Sequence, residues 1–242
     1  MTRPGRPAFL AAAVAGVALL AAPAPAAVAR PAGSVTFVSG EATRSAAWRT
    51  ERLAPGTPVF AGDALETRRR TRLEVRLADE SVLRLGPLSR AVVEEAAFGS
   101  TPEDRKVSAK LVVGKIWANV AKAVGGEARF EVQTDNAVAG VRGTTFRVDA
   151  AKDRSVVVKV YSGTVAVAGG RVPRPGHGAP RERREVPGPE EVSREQWEKL
   201  VGAMMQVKVS AAGVPAEPER FALSKAGRDE WEEWNRSRDA AR

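Results

Sequence analysis

Across residues 33–168, apolar and polar positions alternate with a period close to two, the pattern of strands with one face buried and one face wet. "TRLEVRL" sets Leu73, Val75 and Leu77 on one face and Arg72, Glu74 and Arg76 on the other. "ADES" (78–81) then predicts a turn and "VLRL" a returning strand. "FEVQT" alternates Phe130 and Val132 against Glu131 and Gln133, and "TFRVD" does the same with Phe146 and Val148. "SVVVKVYSGTVAVAGG" predicts two strands joined in a tight hairpin near Ser162 and Gly163. Short strands with turn signals every 8–12 residues or so predict a mostly β fold, either a β-sandwich or a β-solenoid-like stack. No internal repeat is visible to choose between the two.

The alternation stops at about Gly170. Residues 171–191, "RVPRPGHGAPRERREVPGPEE", are rich in Pro, Gly and Arg without apolar periodicity, as in a linker or loop. In "SREQWEKLVGAMMQ", Ser193 and Gln196 have capping-box spacing, and Trp197, Leu200, Val201, Met204 and Met205 form a helical stripe. A helix is expected there, with "VKV" (207–209) as a short strand. "DEWEEWNRSRD" places Trp231 and Trp234 three apart, on one face of a second short helix. Trp197, Trp231 and Trp234 are either partner anchors or a stripe docked on the body, and docking is the expectation. The division that follows is 1–29, a β domain over 30–170, the linker, and a helical, Trp-bearing segment over 192–242.

Composition narrows the chemistry. The chain has 242 residues, no cysteine, one histidine and a formal charge of +9. Disulfides, thiolate ligands and a cysteine nucleophile are excluded. His177 lies in the Pro/Gly/Arg segment, so no triad has a held base. There is no G-x-S-x-G elbow, no S-x-x-K pair, no P-loop and no calcium-loop pattern. No catalytic residue, cofactor or metal is expected.

The first 29 residues change the meaning of the charge. Arg3 and Arg6 precede an apolar run over 8–22, and Ala27-Val28-Ala29 fits a signal-peptidase site. The run is short for the ~20 residues of a membrane span. Cleavage before Arg30 is expected, with retention as an anchor the alternative. Export makes nucleic acid a poor partner and leaves envelope proteins and acidic glycans as better ones, with no stable membrane span after cleavage.

The order of several motifs resembles one known domain. Trp48 is followed by "LAPGTPVFAGDALET" (53–67), "VRLADESVLRLGPLS", "LVVGKIWANV", "FEVQTDNAVAGVRGTTFRVD" and "VKVYSGTVAV". Together they are similar to the FecR domain, across residues 33–168. The resemblance implies structural roles for Gly62, Asp63, Thr67, Asp79, Ser81, Gly140, Val141, Arg142, Gly143, Thr144 and Phe146. Gly140 and Gly143 are expected at a tight corner, with Arg142 tying loops together. Glu80 departs from the family, which has glycine there; either Glu80 takes a strained conformation or the turn differs.

FecR proteins in the strict sense are inner-membrane regulators with a cytoplasmic anti-sigma segment. Here only seven residues precede the apolar run, too few for such a segment. The expectation is therefore a non-catalytic, exported module that binds an envelope protein or glycan. The alternative is a signal-sensing component that works with a separate membrane regulator. Candidate interaction surfaces are the Trp-bearing C-terminal segment and the basic loop of Arg68, Arg69 and Arg70. An exposed Trp48 would favour glycan stacking.

Overall fold

The computed structural model describes residues 30–46, 48–99, 105–121, 129–141, 143–170, 198–224 and 227–241. Residues 1–29 and 171–191, the capping pair Ser193 and Gln196, Trp197 and Arg142 lie outside them. The described residues form seventeen strands, numbered in chain order, and one helix.

The strands fall into two halves. One contains β1 (Gly33–Ser39), β4 (Pro58–Val59), β6 (Arg72–Leu77), β7 (Val82–Leu85), β12 (Thr145–Ala150), β13 (Val156–Ser162), β16 (Met205–Val209) and β17 (Glu219–Arg220). The other contains β2 (Ala42–Ala46), β3 (Arg49–Arg52), β5 (Ala64–Thr67), β8 (Arg90–Phe98), β10 (Arg129–Gln133), β11 (Ala137–Val141), β14 (Thr164–Gly169) and β15 (Glu198–Gly202). The 15-residue β9 (Arg105–Asn119) belongs to both. Its first part pairs with β8 and β10, and its last six residues pair with β7 and β12. Only the β9–β10 pairing is parallel among the described ladders.

Alternation explains how the halves meet. Leu73, Val75 and Leu77 are buried as predicted, and their cluster includes Leu65, Ala91, Leu111, Val132 and Val165 from the other half. Phe130 and Phe146 meet edge to face across this core, centroids 6.4 Å apart. One core shared by two facing halves is the sandwich arrangement, and the sheet stays open rather than closing into a barrel. Each buried Val or Leu contributes roughly 1.5–3 kcal/mol, which lets Val, Leu and Ala hold a fold with few aromatics.

The predicted β6–β7 hairpin forms. Ser81 N–H donates to Asp79 Oδ1 at 3.0 Å, a local side-chain turn, and Glu80 sits at φ 67°. The turn therefore keeps a glycine-type conformation and Glu80 carries the strain. Its exposed ion pair with Arg76, at 3.3 Å, offsets little of that. Glu80→Gly is expected to stabilise the chain by about 0.5–1 kcal/mol, since relief of roughly 1–2 kcal/mol exceeds the added unfolded-chain entropy. Thermal unfolding checks this; a lower melting temperature would refute it.

Two expectations fail. The hairpin at Ser162 and Gly163 does not form: β13 pairs with β12 and β16, whereas β14 pairs with β11 and β15. The chain instead crosses between halves at Gly163 (φ 82°). Alternation states which residues face a core, not which sheet holds the strand. The helix expected from Ser193 onward is also overturned where it is described, because Glu198–Gly202 and Met205–Val209 are strands. β15 and β16 satisfy the outer backbone groups of β14 and β13, and this long-range pairing outweighs a local helical stripe. Of that stripe, Val201 is buried while Leu200 stays 71% exposed. The "VKV" strand forms as part of β16.

The C-terminal helix α1 (Glu230–Ala240) forms as expected. Asp229 caps it, accepting from Glu232 N–H at 3.0 Å, and the acidic first turn and Arg238 near the end suit the helix dipole. No described helix is long and apolar enough to cross a membrane.

Candidate functional site

Most family-motif residues pin turns. Asp63 is buried; its Oδ2 accepts from Phe60 N–H at 2.8 Å and from Arg44 Nη1 at 3.2 Å, beside Gly62 at φ 91°. Thr67 Oγ1 donates to the Gly86 carbonyl at 2.6 Å and accepts from Ser89 N–H at 2.9 Å. Ser81 Oγ donates to Asp79 Oδ2 at 2.9 Å and accepts from Ala121 N–H at 3.0 Å, tying the β6–β7 turn to the end of β9. Phe146 and Val141 are core residues, and Thr144 is buried.

The glycine pair separates. Gly143 has φ 58° and turns the chain toward β12, as expected of a corner. Gly140 does not: it lies inside β11, and an added Cβ would meet only the Ala166 carbonyl oxygen, at 4.0 Å. It lies on the floor of an open groove of about 330 Å³ with Glu131, Ala166 and Leu200.

The tryptophan helix docks on its own domain. Strand register places Phe37, Glu74, Arg84, Trp117 and Arg147 in one row across the outer face of β1, β6, β7, β9 and β12. Helix α1 covers that row. Arg84, fully buried, donates to Glu74 Oε2 at 2.6 Å and to Asp239 Oδ1 at 2.7 Å. Trp117 Nε1 donates to Asp239 Oδ2 at 2.8 Å. Arg238 donates to both Glu74 oxygens, at 2.8 and 3.0 Å, and Arg147 Nη1 donates to Asp229 Oδ2 at 2.6 Å. Trp231 stacks on Trp234 at 5.3 Å, and Trp234 lies 5.5 Å from Phe37. Gly86 leaves room for this, since a Cβ there would sit 3.2 Å from the Trp231 ring.

Charge follows geometry at this seam. Burial pushes the Glu74 carboxyl up, but hydrogen bonds from Arg238, Arg84 and Thr36 outweigh it and hold the pKa at about 2. Asp229 is likewise pushed up by burial and brought below its usual value by Arg147. Sequence reading assigned Glu74 to water and did not single out Arg84, Trp117 or Arg147. Their covering helix reaches residues as far as 155 positions away from Arg84, beyond any local signal.

The basic loop stays outside. Arg68, Arg69 and Arg70 follow β5, and the first two line an open groove of about 630 Å³ with Gly40, Glu41, Arg52 and Leu88. Trp48, at the turn between β2 and β3, is 96% exposed. No group of three or more His, Cys, Asp or Glu side chains that could hold a metal ion occurs among the described residues.

The model of the family described as FecR protein matches residues 63–166, from the Asp63 turn into β14. Proteins of this family are regulators in envelope signalling rather than enzymes. No curated protein matches the chain. Two crystal structures of a candidate anti-sigma factor from Parabacteroides distasonis are similar to it, with 18% and 20% identity and TM-scores of 0.45 and 0.44. Each match covers 65% of this chain and 59% of that one, so the chain spans less than two thirds of their length.

Proposed function

We propose that the chain is a non-catalytic, exported FecR-domain protein that works as an interaction module in the bacterial envelope, with a glycan as its partner. The observation that carries this reading is Trp48. Its indole stands almost wholly in solvent at a hairpin tip, while Trp231 and Trp234 are occupied by the protein's own sheet. An exposed indole costs solvation and offers a flat apolar face with one N–H donor, suited to the face of a sugar ring. The hairpin beneath is fixed by the β2–β5 ladder and by Arg44, which bridges Glu51 and Asp63.

The test compares capture of solubilised envelope glycans by the immobilised chain from Arg30 and by its Trp48→Ala variant. Capture at low and moderate salt, falling at least about 10-fold in the variant with unchanged melting, is the expected result. Equal capture by the variant would remove the indole from the site. Loss at moderate salt alone would reduce the contact to screened attraction.

A second reading, a signal-sensing component that works with a separate membrane regulator, is favoured by the family match. Retention of one envelope protein by the same column, insensitive to Trp48→Ala, would support it over the glycan reading.

A further inference from the structure

The arginine groove is unlike the rest of the molecule. Arg84, Arg147 and Arg238 each hold a carboxylate at 2.6–2.8 Å. Among the described residues, neither Arg52 nor Arg69 has a carboxylate within 4.0 Å, and Arg68 reaches Glu66 only at 3.6 Å with both side chains exposed. Glu41 is the single acidic residue lining the groove. Register extends from Arg52 through Thr43 and Glu66 to the exposed Arg90 in one cross-strand row, two arginines to one carboxylate.

The rim is fixed before any ligand arrives. Thr71 Oγ1 accepts from Glu41 N–H at 3.0 Å and donates to the Glu41 carbonyl at 3.1 Å. Arg68 N–H donates to that carbonyl at 3.0 Å, and Leu88 N–H donates to the Arg68 carbonyl at 3.2 Å. Little backbone ordering is left to oppose binding.

Leu88, on the rim, is held in the left-handed region at φ 54°, as is Arg70 in the loop beside it at φ 56°. Glycine would make either turn without strain. Leu88 nevertheless stays 57% exposed, so burial within the chain does not repay its conformation. Strained residues concentrate where a surface meets something else.

We propose that this groove binds the phosphate groups of an anionic lipid surface. Guanidinium forks match phosphate oxygens in pairs, and Arg52, Arg68 and Arg69 converge on one opening. Leu88 beside them enters the boundary between headgroups and acyl chains, the pairing of cation and apolar side chain found at interfacial sites. A soluble phosphate ester would use the arginines but have no use for the leucine. The contact is peripheral and uses other residues than Trp48, so it stands or falls separately from the glycan reading.

The chain from Arg30 retains every described strand and the helix, and lacks the apolar run over 8–22. It is titrated with phosphatidylcholine vesicles with and without about 30 mol% phosphatidylglycerol. Binding is expected to the anionic vesicles alone. It should weaken at least about 10-fold when Arg52, Arg68 and Arg69 are all changed to Gln, and about 5-fold in Leu88→Gly. Leu88→Gly should melt no lower than the parent chain, which separates lost binding from lost folding. Undiminished binding by the triple variant would overturn the proposal. So would full competition by inorganic phosphate with Leu88→Gly binding as the parent does, which would assign the groove to a soluble phosphate ester. Retention of polyglutamate without vesicle binding would assign it to an acidic polypeptide, and likewise overturn it.

Discussion

Replacing Arg84 with methionine is expected to destabilise the fold by about 3–5 kcal/mol, because it removes a buried cation shared by Glu74 and the half-buried Asp239 rather than a surface charge. Glu74 keeps Arg238 and Thr36, but among the described residues Asp239 keeps only the hydrogen bond from Trp117 Nε1. Methionine fills much of the volume yet donates nothing, so helix α1 loses the bond that joins its last turn to β7. At about 2–4 °C per kcal/mol for a chain of this size, the melting temperature should fall by roughly 10 °C. A fall of less than 2 °C or so would mean that α1 is held by its tryptophans alone.

The same cluster sets the acid response. Glu74 has a folded pKa of about 2 against an ordinary 4.5, a depressed value. Its contribution is therefore fully present above pH 4.5 and is lost as pH falls toward about 2. Asp229, also depressed, acts in the same direction at the other end of the helix. Acid titration followed by tryptophan fluorescence should show the Trp231–Trp234 pair leaving the sheet in that window. In Arg84→Met the transition should move to higher pH, since one of the groups holding Glu74 down is gone.

Phe146→Ala should cost about 3–5 kcal/mol by a different route, the opening of a cavity between the two halves. Phe146 is fully buried, lies opposite Ala118 and Val160 in its ladders, and meets Phe130 from the facing half. Phe146→Leu keeps most of the volume and should cost less than about 1.5 kcal/mol. Urea unfolding with an unchanged slope would attribute the loss to packing. A cost below about 1 kcal/mol for the alanine variant would mean that the halves do not depend on this shared core.

How far the chain could be read in advance depended on the range of the interaction. The Asp79–Ser81 turn, the β6–β7 hairpin and the face shared by Trp231 and Trp234 are each decided within a few residues, and each was legible. The conformation of Glu80 was posed as one of two outcomes, and the neighbouring strands chose the strained one. Gly143 behaves as a corner because its positive φ is a local property. Gly140 does not, because what lies above it is set by distant strands.

The alternation over 33–168 determined by itself that the chain is mostly β, and which side chains face a core, since burial parity is a property of each strand alone. The motif order pointed to the domain whose family model matches residues 63–166. Only the tertiary structure decided that β13 and β14 belong to different halves and that Glu198–Gly202 and Met205–Val209 are strands rather than helix. It alone also turned the outward row of Glu74, Arg84, Trp117 and Arg147 into the seat of a helix. Each of these outcomes rests on ladders or ion pairs between residues far apart in the chain. Their strength depends on what is brought alongside, and no local period records that.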